Sequence, residues 1–126
     1  MENPIVEKIM KEGVNSVNLT MLDGASRKKI LLDVANKLYK QNKVVESIKI
    51  MSISGFTEEL IKMGDDFMHY KKYEYAALCF IPTKDKARLN EAGVNLIKDK
   101  NYNLAAEAYE AAGNFQMAEF IKKNFC

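Results

Sequence analysis

Two stretches decide how this chain is read: Leu89-Asn90-Glu91-Ala92-Gly93-Val94-Asn95-Leu96 and Ala105-Ala106-Glu107-Ala108-Tyr109-Glu110-Ala111-Ala112. In both, apolar residues return every three or four positions, the spacing that gathers them on one stripe of a helix. Gly93 stands in the middle of the first stretch. A glycine inside a helix costs about 1 kcal/mol relative to alanine, so it implies a neighbour too close to admit a side chain.

Sliding the sequence by 29 residues finds the same arrangement twice more. Ala35, Gly64 and Gly93 form one column of small residues. Four positions earlier stand Leu31, Leu60 and Leu89; one earlier, Val34, Met63 and Ala92; three later, Leu38, Phe67 and Leu96. Nine later come Val44, Tyr73 and Tyr102, and twelve later the small Ser47, Ala76 and Ala105. Sixteen later are the large Met51, Phe80 and Tyr109, and nineteen later Ser54, Thr83 and Ala112. Slim residues on both helices of a pair predict close backbone approach, with Gly64 meeting Ala76 and Gly93 meeting Ala105 while the large columns fill the layers between pairs. One pair cannot bury both of its faces, so the pairs are expected to stack.

Outward from these copies, Asn3-Pro4 reads as the N-cap and first-turn proline of a short helix ending near Gly13. Residues 14–24 are less periodic and end in a turn-like Asp23-Gly24. Helices are then predicted at 26–41, 43–54, 57–70, 73–81, 84–99, 102–112 and 115–124. Gly55, Pro82 and Gly113 separate them, with Thr57 and Thr83 as N-caps. Strand alternation is almost absent, so the predicted fold class is all-α: an N-terminal helix and linker over 1–24 packing on a helical repeat domain over 25–126.

The columns resemble the tetratricopeptide repeat, which carries a bulky residue, Leu-Gly, an aromatic, then alanine, an aromatic and alanine at these offsets. Leu89…Ala92-Gly93…Leu96…Ala105…Tyr109…Ala112 is the best copy; the one beginning at Leu60 is nearly as good and the one at Leu31 weaker. The resemblance covers about residues 27–124 and implies a right-handed solenoid of about three antiparallel helix hairpins, with 115–124 as a C-terminal capping helix and Lys122 in its slim column. The period is shorter than the family's usual value of about 34 residues. The family's proline near the repeat end is missing, Pro82 standing earlier. A divergent helical-hairpin solenoid, of the kind in vesicle-coat and ciliary-transport subunits, fits the columns equally well.

Composition narrows the function. The chain has 126 residues, enough for one core or a short repeat array. Its 2 prolines and 6 glycines exclude collagen-like or disordered chains. No apolar run approaches the roughly 20 residues of a membrane-spanning helix, and the start, Met1-Glu2-Asn3-Pro4, lacks a signal-peptide core. Cys79, within Ala76-Ala77-Leu78-Cys79-Phe80, reads as a small core residue, and Cys126 falls too late for prenylation. This usage suits a reducing compartment, so a cytoplasmic location is expected and the sequon Asn18-Leu19-Thr20 is discounted.

The 19 basic and 17 acidic residues leave a net charge of +2, a small excess for a dedicated nucleic-acid binder. The bases concentrate over 27–49 (Arg27, Lys28, Lys29, Lys37, Lys40, Lys43, Lys49, against Asp33 and Glu46), so RNA or anionic-surface binding there is the alternative function. Tyr39 is the only aromatic of that segment, too few for a base-reading code, and a solvated helix face explains the charge. The chain has no phosphate-binding loop, zinc-protease motif or nucleophile elbow, so no enzymatic activity and no cofactor are expected. His69 and Asp65 supply two ligands where a firm metal site needs three or four. Glu58-Glu59 and Asp65-Asp66 read as solvated pairs rather than a catalytic dyad.

The resemblance therefore implies a non-enzymatic adaptor or scaffold whose first-helix residues line a groove for a peptide segment or helix of another protein. By register these are Leu32, Asn36, Tyr39 and Lys40; Ile61, Asp65, Met68 and His69; and Asn90, Val94, Ile97 and Lys98. Asn36 matches the family's carboxylate-clamp asparagine, but Leu32 stands where the clamp lysine would be, which speaks against a free peptide C-terminus. Two further expectations stand beside this. The segment 3–22 (Ile5, Ile9, Met10, Leu19, Met21, Leu22) could fill the groove itself, and exposed end faces could pair two copies as a homodimer.

Overall fold

The computed structural model describes residues 3–126 and divides the chain into two units, one through Phe56 and one from Thr57 to Cys126. Among the described residues there are eight α-helices and no strand.

In the first unit, the Asn3 side chain accepts the Ile5 N–H at 2.8 Å and opens α1 (Pro4–Glu12), whose Val6 and Ile9 are buried. A short 3-10 turn, Val14–Ser16, and a linker lead to α2 (Gly24–Lys40), on which α1 packs. Asp23 is not part of a turn, as its pairing with Gly24 predicts, but the cap of α2: its Oδ1 accepts the Ser26 N–H at 2.7 Å, so the helix starts two residues early. α3 (Val44–Ile53) folds back on α2, and Leu31, Val34 and Ala35 are buried with Ser47, Ile48 and Met51.

The second unit holds α4 (Thr57–His69), α5 (Tyr73–Phe80), a 3-10 turn Ile81–Thr83, α6 (Lys86–Lys98), α7 (Tyr102–Ala111) and α8 (Phe115–Phe125), each helix packing on the next. Neither predicted threonine cap is seen. Thr57 is the first residue inside α4. Pro82 closes the 3-10 turn, Thr83 Oγ1 donates to the Phe80 carbonyl at 2.7 Å, and Asp85 caps α6 by accepting the Arg88 N–H at 3.1 Å.

The 29-residue period recurs in the backbone itself. Asn42, Lys71 and Lys100 are left-handed, with φ of 63°, 61° and 63°. The next residue in each case donates its N–H back across the helix end: Lys43 to Leu38, Lys72 to Phe67 and Asn101 to Leu96, at 2.9, 2.8 and 2.8 Å. This closure uses up carbonyls that a helix end leaves bare and turns the chain sharply. Gly55, Lys84 and Gly113 repeat the left-handed corner after the second helical segment of each copy. Helices that pack on their sequence neighbours within each unit, with a periodic corner, are consistent with a helical repeat fold.

The slim column of the first helices packs against large side chains of the second helices. A Cβ on Gly93 would lie 2.7 Å from Cε2 of Tyr109, and one on Gly64 would lie 2.8 Å from Cδ1 of Phe80. The glycines thus sit under the large residue sixteen positions later in the chain. A flat ring reaches across to the facing backbone. The first copy keeps a methyl, Ala35, and has the unbranched Met51 in the ring's column; Ser47 Oγ instead donates to the Ala35 carbonyl at 2.7 Å. Cys79 is part of this core, and burial pushes its thiol up to about 12.

Helix propensity alone would make Gly93→Ala stabilising by about 1 kcal/mol. The ring contact reverses the sign, because overpacking a filled core costs about 1–3 kcal/mol. Thermal melts should show Gly93→Ala destabilised, and destabilised less when Tyr109→Met is already present.

Candidate partner-binding surface

On α2, Asn36, Tyr39 and Lys40 are exposed and Leu32 is half-buried. The N-terminal segment therefore does not cover this face, although Val6 and Ile9 are buried within the same unit. Arg27 does not join a basic surface: its Nε and Nη2 donate to the Leu19 and Leu22 carbonyls at 3.2 and 3.0 Å and tie down the linker. Lys28, Lys29, Lys43 and Lys49 are exposed.

In the second unit, Asp65 and His69 of α4 and Val94 and Lys98 of α6 are exposed, while Ile61, Met68, Asn90 and Ile97 are half-buried. Arg88, which the sequence reading leaves without a role, brings the two first helices together. Its Nε and Nη2 donate to the two carboxylate oxygens of Asp65 at 2.7 and 2.9 Å, and its Nη1 donates to Asp85 Oδ2 at 2.7 Å. The planar fork suits this two-pronged contact, which an ammonium could not make. Asp65 is consequently no open carboxylate but half of an ion pair. The bonds to Asp65 first, then to Asp85, push the Arg88 pKa up, and the Arg88 backbone N–H first holds the Asp85 carboxyl below the usual range.

His69 lies edge-on to Tyr70, ring centroids 5.1 Å apart. Among the described residues no group of three or more His, Cys, Asp or Glu could hold a metal ion. Asn90 Oδ1 is buried with no hydrogen-bond partner among the described residues. A cleft of about 500 Å³ opens between the α4–α5 and α6–α7 corners; Lys71 and Lys72 share it with Glu74 and Asp99, so no one sign of charge prevails there.

One further feature escaped the sequence reading. Phe115, Phe120 and Phe125 of α8 are 66%, 53% and 50% exposed, and Phe125 stacks on Tyr102 with centroids 4.7 Å apart. Their five-residue spacing was the available signal, since steps of five cannot keep three residues on one helical stripe.

No described helix is long and apolar enough to cross a membrane. Comparison with protein-family models, with curated proteins and with solved structures finds no match for this chain.

Replacing Asp85 with alanine removes both the cap of α6 and one anchor of Arg88, at a cost of about 1 kcal/mol near neutral pH. Because folding lowers the Asp85 pKa, its contribution is present above the ordinary carboxylate range and is lost as pH falls through the folded value. The stability gap between wild type and Asp85→Ala, measured by urea titration, should therefore narrow on acidification.

Proposed function

We propose that this chain is a non-enzymatic protein-recognition module, an adaptor or assembly subunit, built as a tetratricopeptide-like right-handed solenoid. It holds an extended segment or helix of another protein against the first helices of its repeats. The observation that supports this most directly is the Arg88–Asp65 contact, which sets α4 and α6 side by side in one partly exposed surface. That surface offers apolar contact from Ile61, Met68, Val94 and Ile97, flanked by Lys98 and His69. Apolar centres with polar rims are the composition of protein interfaces.

The test places a photo-crosslinking residue at Val94 and, as the control, at the exposed Glu107 of α7. Adducts with another protein should form from Val94 and not from Glu107, and Met68→Glu should abolish them while leaving the melting curve unchanged. Adducts from Glu107 alone, or adducts indifferent to Met68→Glu, would place recognition elsewhere.

A further inference from the structure

A helix packed on one side normally shows water a polar outer face. α1 obeys this: Glu7, Lys8, Lys11 and Glu12 are exposed, with Lys8 and Glu12 paired at 3.9 Å. α8 does not. Ala118 and Ile121 are buried on its inner side, and Lys122 reaches back to Glu110 at 2.7 Å, so the helix is held from within. Its outer side presents Gln116, Glu119, Phe120 and Lys123, all exposed. Phe120 lies 6.2 Å from Phe125, which continues the aromatic surface to Tyr102.

We propose that this face docks on the same face of a second copy of the chain, the two α8 helices running antiparallel about a two-fold axis beside Phe120. The charges on the face are complementary to themselves. Glu119 and Lys123 stand four residues apart, about 6 Å along the helix at 1.5 Å per residue. Neither is engaged in an ion pair among the described residues, though four apart in this order favours one. A two-fold axis midway between them inverts their order in the partner, so each Glu119 meets a Lys123 and each Lys123 a Glu119. Phe120 lies within one residue of that axis, and the two Phe120 rings cover one another. Two-fold pairing of one patch with itself closes after two copies.

The experiment is sedimentation of the purified full chain with paired charge variants. Wild type should sediment as a dimer of the 14.3 kDa chain. Phe120→Glu should sediment as a monomer with unchanged helicity and melting, because the residue is exposed and its loss leaves the core intact. Glu119→Lys and Lys123→Glu should each weaken association by about tenfold or more, since each sets like charges face to face at both contacts. Mixed in equal amounts, these two single variants should form a heterodimer at the wild-type concentration, because every facing pair is then opposite in sign. A wild-type chain still monomeric at about 100 µM overturns the proposal. So does a dimer indifferent to Phe120→Glu, or one that the mixed variants fail to restore.

Discussion

The contact between a bare backbone and an aromatic ring, Gly93 under Tyr109 and Gly64 under Phe80, sets how closely each helix pair in the second unit can pack. Tyr109 and Phe80 are almost wholly buried, and so are the leucines four residues before each glycine, Leu89 and Leu60. The ring fills space that a methyl on the first helix would otherwise occupy, so the two positions constrain each other more than either constrains its sequence neighbours. The first unit meets the same requirement with different chemistry. Ala35 keeps its methyl, Met51 bends where a ring could not, and the Ser47 hydroxyl satisfies the Ala35 carbonyl in a buried site.

Close packing of each pair leaves the outward residues of the first helices to face solvent or a partner. Arg88 is what makes neighbours of two such faces in the second unit. Its guanidinium is fixed from one side by the residue that caps its own helix and from the other by Asp65 on the preceding first helix. An exposed ion pair contributes little to stability. Its effect here is geometric: it ties α6 to α4 at one point along each helix.

The fold was legible from a few kinds of residue. Glycines placed against their own helix propensity, leucines four positions before them and alternating large and small columns carried the helix order and most boundaries to within two residues. What was not legible was the aromatic ring that lies over each glycine. Periodicity reports which residues share a face, but not how far a long ring reaches across to the opposite backbone. The left-handed corners were equally hidden, because Asn42, Lys71 and Lys100 are not the glycines that such a conformation favours. The threonine caps failed for a local reason: Pro82 spends Thr83 on a 3-10 turn and leaves the capping to Asp85. At the candidate surface, exposure could be read from helical register. The neutralisation of Asp65 could not, since it depends on Arg88, 23 residues away in sequence.

Each corner at Asn42, Lys71 and Lys100 sends the chain back on itself within three or four residues, so the helices that pack together are adjacent in sequence. Assembly of such a chain demands little loop-closure entropy before contacts begin to reward it, and topologies of this kind fold fast. A nascent polypeptide can complete one hairpin while the next is still being synthesised.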